Sequence, residues 1–193
     1  MSIKLLDVRT LHEGFGKLVV GRFRLADGVE IVREISDQGD SVAMLAYDPD
    51  RRIAILTRQF RAPVFYAEQE SFLLEAPAGR IEDDGPAKSG RRELIEEIGI
   101  DASQIEHIAT TWSSPGVSTE RLHLFLAAFS EADRVGDGGG LAEENEHIEP
   151  VTVPLSELAG MAERGEIADL KTLALVLALQ LRRPELFRTS TQR

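Results

Sequence analysis

Two neighbouring segments of the chain are almost uninterrupted in their apolar character, and they constrain the fold more than any other feature. They are SVAMLAYD at residues 41–48 and RIAILTRQF at residues 52–60, arranged around a DPD turn. A strand with one exposed face alternates apolar and polar residues, whereas a strand covered on both faces is apolar along its length. These segments therefore predict central strands of a sheet that has other structure packed on each side.

The remaining patterns predict a protein of the α/β or α+β class. Residues 17–35 contain two strand-like segments around an Ala-Asp-Gly sequence, which is a hairpin signal. Further strands are predicted at residues 72–79, 105–114, 120–130 and 148–155, and helices at residues 86–98, after Ser156 as N-cap, and at residues 169–183. The order predicts a mixed sheet with two or three helices packed on it, preceded by a small N-terminal β unit near residues 1–40.

Composition and charge argue against several classes of protein. The chain of 193 residues has no cysteine, which excludes disulfides and thiolate metal sites and favours a reducing, cytoplasmic location. The N-terminus lacks the apolar segment of a signal peptide, and the longest apolar segment, residues 172–181, is shorter than the roughly 20 residues that span a bilayer. The formal net charge of -11 is unlike that of a nucleic-acid-binding surface. We therefore predict that the protein binds neither membranes nor nucleic acid.

Three glutamates, Glu93, Glu96 and Glu97, lie close together in a segment that the sequence predicts to be helical. Pro86 suits the first turn of this helix, and Gly99 stands where a left-handed C-terminal cap belongs. At about 100° per residue, the three carboxylates fall within an arc of about 100°. The apolar residues face another direction, and they are Leu94, Ile95 and Ile98.

A glutamate-rich helix face is most often simply solvated, and the fragment by itself favours that interpretation. The alternative is a site for a hard divalent cation. Mg²⁺ prefers oxygen ligands, and carboxylates one helical turn apart can ligate one ion or two neighbouring ions. The bound charge would also relieve the repulsion between the glutamates. The surrounding sequence favours the metal site.

The segment from Gly79 to Ile100 resembles the Nudix box, G-x5-E-x7-R-E-U-x-E-E-x-G-U, in which U is apolar. Its second half, RELIEEIGI at residues 92–100, matches this pattern completely. The first half is one residue shorter than the pattern, and Asp84 or Gly85 stands at the place of the first glutamate. The shortened box is similar to that of GDP-mannose hydrolases. The segments LTRQFRAP, LLEAPAG, SSPGVSTE and GEIADLKT resemble the nucleoside-diphosphate-sugar branch of the same family.

The resemblance implies an active site that uses Mg²⁺, or alternatively Mn²⁺, as its cofactor. Glu93 and Glu97 would be the main metal ligands and would thereby be catalytic. Glu96 would contribute to the same site, and the backbone carbonyl of Ala78 would also bind metal.

The resemblance further implies that a glutamate of the late acidic loop closes the site and acts as the catalytic base. Glu146 is the favoured residue, and Glu144 is the alternative. Arg92 would pair with a glutamate of the box and hold its conformation, while Gly79 and Gly99 would be structural. Without the resemblance, this loop would be interpreted as flexible and solvated.

Several charged residues match positions that contact or flank the substrate in this branch. Arg61 would contact the diphosphate, because a guanidinium offers a rigid fork of donors to phosphate oxygens. Arg33 would reach the substrate bound by the partner subunit. The weaker candidates are Arg58, Glu75, Glu120 and Lys171. Each of these residues taken singly is also typical of surface ion pairs, capping or solvation. The histidines are predicted to be structural or solvated, and they are His12, His107, His123 and His147.

The implied fold is an α/β/α sandwich at residues 41–193, with residues 1–40 forming a homodimer by strand exchange. The implied reaction is hydrolysis of the diphosphate linkage of a nucleoside diphosphate sugar, with GDP-mannose favoured and ADP-ribose a close second. An inactive domain that senses a nucleotide sugar is one alternative, which the intact box glutamates disfavour. An acidic interaction module without a small-molecule site is another, which the box together with the SSPG segment disfavours.

Overall fold

The N-terminal part of the chain forms its own antiparallel sheet. The computed structural model describes residues 2–70, 72–141, 143 and 146–188. Within them, β1 (Lys4–Glu13), β2 (Lys17–Arg24) and β3 (Glu30–Asp37) pair in the order β1-β2-β3. The hairpin predicted between β2 and β3 is confirmed. β1 was not predicted, because its register shifts at two places and so interrupts the period of two that marks a strand.

A larger, seven-stranded sheet forms the centre of the molecule. Its strands are β4 (Ser41–Asp48), β5 (Ile53–Phe60), β6 (Phe72–Glu75), β7 (Ala78–Arg80), β8 (Gln104–Trp112), β9 (Arg121–Ala128) and β10 (Ile148–Pro154). The order is β10-β5-β4-β9-β8, with β6 paired to β5 and β7 paired to β4. The predicted mixed sheet is confirmed, because β4 runs parallel to β9 while β10, β5 and β8 make antiparallel pairs. The single strand predicted at residues 72–79 is two strands, because Ala76 and Pro77 separate β6 from β7.

Helices cover both faces of this sheet. They are α1 (Ala62–Glu68), α2 (Pro86–Ile98), α3 (Leu155–Glu163) and α4 (Leu170–Arg182). Successive side chains of β4 point to opposite faces, so that Ala43 and Leu45 pack with α3 and α4 while Val42 and Met44 pack with α2. The predicted α/β/α sandwich is therefore confirmed. No helix in the described ranges is long and apolar enough to cross a bilayer.

The helix ends follow the prediction in α2 and, to within one residue, in α4, which spans Leu170–Arg182 against the predicted 169–183. α2 begins at Pro86 and ends at Ile98, and Gly99 is its C-cap with a φ of 70°. The predicted N-cap Ser156 is wrong, because α3 begins one residue earlier at Leu155, which is fully buried and donates its N–H to the carbonyl of Arg52. α1 was not predicted, because it buries none of its seven residues and so lacks the apolar period of a packed helix.

The buried face of α2 differs in part from the prediction. Leu94 and Ile98 are buried as predicted, but Ile95 is 38% exposed. Glu97 is only 4% exposed, although the helical wheel places it with the other glutamates. Its carboxylate accepts a hydrogen bond from the Ala78 N–H of β7, a contact that the periodicity of the helix cannot reveal.

The N-terminal sheet is bonded to the larger domain through the end of β3. The Ser36 N–H donates to the Val117 carbonyl at 2.7 Å, and the Thr119 N–H donates to the Ser36 carbonyl at 3.0 Å. The Thr119 hydroxyl also donates to Asp37 at 2.7 Å. These bonds hold the N-terminal sheet beside the larger sheet, where its β1–β2 turn helps to form a cleft.

Candidate active site

A cleft of about 720 Å³ opens between the larger sheet, α2, α4 and the β1–β2 turn. Most of the predicted site residues line it, and they are Arg61, Ala78, Gly79, Arg92, Glu93, Glu96, Glu120, Glu146 and Lys171. Residues that the sequence analysis does not select also line it, and they are Phe15, Ser41, Arg80, Glu82, Ser113, Leu122, Leu141, Asp169 and Leu170. The cleft therefore brings carboxylates and cations together in one place.

Other predicted residues lie away from the cleft wall. Arg33 is exposed on β3 and does not line the cleft. Arg58 pairs with Glu149 at 3.1 Å, and its guanidinium lies over the ring of Phe72. These contacts of Arg58 are those of a surface ion pair, which was the alternative interpretation. Glu144 lies outside the described residues. The substrate roles of Arg33 and Arg58 stay predictions.

Arg92 lies among the carboxylates of α2. Its Nη2 is 3.0 Å from Glu93 and 3.3 Å from Glu82, and its Nη1 donates to Glu96 at 3.1 Å. These ion pairs offset the repulsion between acids that are one helical turn apart. Arg92 is thus placed to hold the conformation of the box glutamates, and that role stays a prediction.

Glu97 is the most buried of the predicted ligand side chains. Its Oε2 accepts a hydrogen bond from the Ala78 N–H at 3.2 Å. Burial raises the pKa of Glu97 to about 8, and the negative charges of Glu93 and, less strongly, Glu146 raise it in the same direction. A buried carboxylate among other carboxylates is costly unless a positive charge compensates it. A bound cation would supply that compensation.

Gly79 lets the Glu93 carboxylate approach the backbone of β7. A Cβ at Gly79 would lie 2.2 Å from both the carboxyl carbon and Oε1 of Glu93. Gly79 does not have a positive φ, so the close approach explains the glycine and an unusual backbone conformation does not. The carboxylate of Glu93 therefore lies against the chain one residue after Ala78, whose carbonyl is a predicted metal ligand.

The loop of residues 136–141 is bonded to the C-terminal end of α2. The N–H groups of Gly139 and Gly140 donate to carbonyls in the last turn of the helix at 2.9 and 3.0 Å. Those carbonyls have no partner within the helix, so the loop satisfies them. Leu141 then donates its N–H to the carboxylate of Glu146 at 3.3 Å. The loop thereby brings Glu146 to the same cleft as the glutamates of α2.

Two of the cations that line the cleft, Arg61 and Lys171, share one carboxylate. Arg61 donates from Nε to one oxygen of Glu75 at 2.6 Å, and Lys171 donates from Nζ to the other oxygen at 2.8 Å. Lys171 also donates to Asp169 at 2.9 Å. Asp169 caps α4 by accepting from the Thr172 N–H, so Lys171 extends from a capped first turn.

The oxygen donors of the site are of the chemical type that a divalent cation prefers, although they do not converge on one position. Among the described residues, no group of three His, Cys, Asp or Glu side chains is close enough to ligate a metal ion. The contacts explain this: Arg92 pairs with Glu93 and Glu96, while Glu97 accepts from Ala78. Carboxylate and carbonyl oxygens are nevertheless the donors that hard divalent cations prefer.

The remaining predicted residues have local partners. Glu120 accepts a hydrogen bond from the Ser41 hydroxyl at 2.6 Å on the wall of the cleft. His107 and His123 both hydrogen-bond to Thr110, which links β8 to β9. None of the four histidines lines the cleft, which is consistent with their interpretation as structural or solvated residues.

Sequence reasoning missed Asp169 and left the role of Glu75 open. The signal for Asp169 is its position three residues before Thr172. A helix N-cap and the residue whose N–H donates to it have this spacing. Glu75 carries no comparable local signal, because its partners are 14 and 96 residues away along the chain.

Comparisons with known proteins identify the family of the chain. A model of the NUDIX domain matches residues 37–176. The GDP-mannose pyrophosphatase of Cronobacter sakazakii is 38% identical over 94% of this chain and 97% of its own length. That of Pectobacterium atrosepticum is 42% identical over 77% of this chain and 76% of its own. A crystal structure titled ADP compounds hydrolase is 18% identical and has the same fold, with a TM-score of 0.76 over 98% of both chains. The chain therefore belongs to the Nudix family of hydrolases.

Proposed function

We propose that the protein hydrolyses the diphosphate linkage of a nucleoside diphosphate sugar, with GDP-mannose as the favoured substrate and ADP-ribose as the second candidate. The observation that carries this proposal is the meeting of Glu93, Glu96 and Glu146 with Arg61 and Lys171 in one cleft. A diphosphate that binds through a divalent cation needs carboxylates to hold the cation and basic side chains to contact the phosphate oxygens. The relatives named GDP-mannose pyrophosphatase support the choice of substrate, as does the shortened box.

A divalent metal ion is part of the proposal, and Mg²⁺ is the favoured ion, with Mn²⁺ as the alternative. Nudix pyrophosphatases generally need a divalent metal. Glu93, Glu96, Glu97 and the carbonyl of Ala78 would hold it, and Glu146 would complete the set. When bound, the ion neutralises phosphate oxygens and offsets the charge that develops during cleavage.

The residues of the chain bind the substrate and activate water. Arg61 offers a planar fork of donors to the phosphate oxygens, and Lys171 offers a compact positive charge. Glu146 orients the attacking water and accepts its proton. The water oxygen bonds to one phosphorus as the P–O–P linkage breaks. The products are a nucleoside monophosphate and a sugar phosphate.

The N-terminal β unit, residues 1–40, is proposed to form a homodimer, with residues 41–193 as the hydrolase domain. Large apolar side chains of this unit are left exposed, and they are Ile3, Leu5, Val8, Leu11, Val29 and Val32. Such a concentration of exposed apolar surface in one small sheet marks an interaction site. Strand exchange and the contribution of Arg33 to the partner's site rest on the resemblance. The cytoplasmic location stays a prediction.

The test is a panel of nucleotide sugars assayed with and without Mg²⁺. Released phosphate esters would be measured through a coupled phosphatase, with GDP-mannose, ADP-ribose and UDP-glucose in parallel. We expect metal-dependent hydrolysis, fastest for GDP-mannose. If no member of the panel is hydrolysed while GDP-mannose still raises the melting temperature, the protein is a sensor and the proposed activity is wrong.

A further inference from the structure

Glu75 is a buried acid at the end of β6 to which the proposed reaction assigns no role. Its side chain is only 5% exposed, and it is not among the residues that line the cleft. A buried carboxylate is tolerated when it is paired and hydrogen-bonded. Glu75 is paired with two cations, Arg61 and Lys171, and both of them do line the cleft.

The two cations come from distant parts of the chain and differ in how they are held. Arg61 follows β5 directly, whereas Lys171 lies in the first turn of α4. Glu75 is the ion-pair partner of Arg61 within the described part of the chain, and it engages Nε, which leaves both terminal nitrogens of the guanidinium for a ligand. Lys171 has Asp169 as a second partner.

The backbone beside Glu75 is also bonded to the turn that carries Lys171. The Ala76 N–H donates to the hydroxyl of Thr172 at 2.6 Å, and the same hydroxyl donates to Asp169. Thr172 is completely buried. The carboxylate of Glu75 is therefore held in a defined place relative to the first turn of α4.

We propose that Glu75 is a positioning residue, whose carboxylate sets the separation of Arg61 and Lys171 so that both engage one diphosphate. The inference rests on the proposed function, because the substrate roles of the two cations belong to it. Glu75 acts through these cations and does not touch the substrate. Its removal would leave Arg61 without its ion-pair partner and would leave the two cations to repel each other.

The test is a double-variant cycle on Glu75 and Arg61, with steady-state kinetics on GDP-mannose and Mg²⁺. Glu75→Gln keeps the shape of the side chain and removes its charge, so we expect KM to rise about tenfold or more, with a smaller change in kcat. Arg61→Ala also raises KM. In the double variant the two losses are expected to be clearly less than additive, because Glu75 acts partly through a residue that is already absent.

Glu106→Gln is the matched control. Glu106 also accepts hydrogen bonds from two cations, Arg182 and Arg183, but it lies outside the cleft. Its substitution removes the same kind of shared carboxylate and is expected to leave KM unchanged. If Glu75→Gln changes KM no more than this control, or if the losses in the cycle are fully additive, the proposal is overturned.

Glu75→Asp is a second test of the proposal, for the case in which Glu75→Gln does not fold. It keeps the buried charge but retracts it by one methylene group, so KM is again expected to rise while the melting temperature stays nearer to that of the wild type. A wild-type KM in this variant would contradict the inference.

Calorimetric titration with GDP and Mg²⁺ separates the inference from the proposed function. If the wild type does not hydrolyse the substrate, only the proposed function is rejected. The positioning role is still tested, because GDP carries a diphosphate and its binding depends directly on Arg61 and Lys171. The Kd for GDP is expected to rise about tenfold in Glu75→Gln. An unchanged Kd, or a wild type that does not bind GDP, would overturn the positioning role.

Discussion

The guanidinium of Arg80 lies 4.5 Å from the centre of the Phe15 ring and donates to the Phe15 carbonyl at 3.1 Å. Arg80 also donates to the carbonyl of Gln38. Because Arg80 belongs to β7 and Phe15 to the turn between β1 and β2, a single side chain links the N-terminal sheet to the cleft. Phe15 is 80% exposed and lines that cleft.

Arg80→Ala should loosen the β1–β2 turn without unfolding the hydrolase domain. It removes a cation–π contact, typically about 0.5–1 kcal/mol at an exposed site, and two hydrogen bonds. We expect faster protease cleavage between residues 13 and 17 and a higher KM for GDP-mannose, at nearly unchanged melting temperature. Arg51→Ala is the control, because Arg51 makes a surface ion pair with Glu131 away from the cleft. Equal cleavage rates in the two variants would contradict the prediction.

Gly79→Ala should displace the Glu93 carboxylate and leave the fold intact. The added Cβ would meet the far end of a flexible side chain, which can move, but only by leaving its place beside β7. We expect the Mg²⁺ concentration needed for half-maximal activity to rise about tenfold or more. Gly116→Ala is the matched control, because a Cβ there meets nothing within 4 Å. An unchanged metal requirement in Gly79→Ala would count against Glu93 as a ligand.

Glu97→Gln should reduce turnover by about a hundredfold or more at saturating Mg²⁺, because it neutralises a predicted direct ligand. Folding should be little affected. The amide has the shape of a protonated carboxyl group, and its oxygen can still accept from the Ala78 N–H. Steady-state kinetics and thermal melts would be compared with the wild type. Wild-type turnover in this variant would remove Glu97 from the metal site.

The contribution of Glu97 to the stability of the metal-free protein should fall as the pH rises from about 4.5 to about 8. The pKa of Glu97 rises from 4.5 to about 8 in the folded state, mainly through burial. Between these values the folded chain binds more protons than the unfolded chain, so a higher pH favours unfolding. Thermal melts in EDTA over this pH range should show a more negative slope of stability against pH for the wild type than for Glu97→Gln. Equal slopes in both proteins would show that Glu97 does not titrate in this range.

Leu5→Asp should convert the proposed homodimer into a monomer. Leu5 is 58% exposed on β1, and a charge there would disfavour burial against a second copy of the N-terminal sheet. Light scattering coupled to size-exclusion chromatography gives the mass directly. Leu181→Asp is the control, since Leu181 is an apolar side chain of α4 that is 84% exposed. A wild-type protein that is already monomeric would refute the dimer itself.

Short sequence patterns predicted those parts of the fold that are determined by residues close together in the chain. Pro86 and Gly99 indicate both ends of α2, and the continuous apolar character of β4 indicates a strand covered on both faces. Ser156 misled because burial of Leu155 outweighs a favourable capping residue. The type of site followed from the box, since its acids and Arg92 occupy two turns of one helix.

The rest of the site depends on contacts between distant segments. The carboxylate of Glu97 accepts from the Ala78 N–H, 19 positions earlier in the chain, and no helical period reveals that contact. The pairing of Glu75 with Lys171 joins residues 96 positions apart. Such contacts arise from the packing of α4 against the sheet, so they become visible only when the layers are assembled.

The glycine-rich loop has a consequence for how the protein can vary. A Cβ at Gly138 would lie 2.4 Å from the Glu97 carbonyl oxygen, so loop and helix meet backbone to backbone with no room for a side chain. The end of the helix therefore fixes the position of the loop up to Leu141, whose N–H donates to the carboxylate of Glu146. Inserting or deleting one residue between positions 136 and 140 would therefore uncouple the proposed base from the proposed ligands, even in a chain that kept every acid.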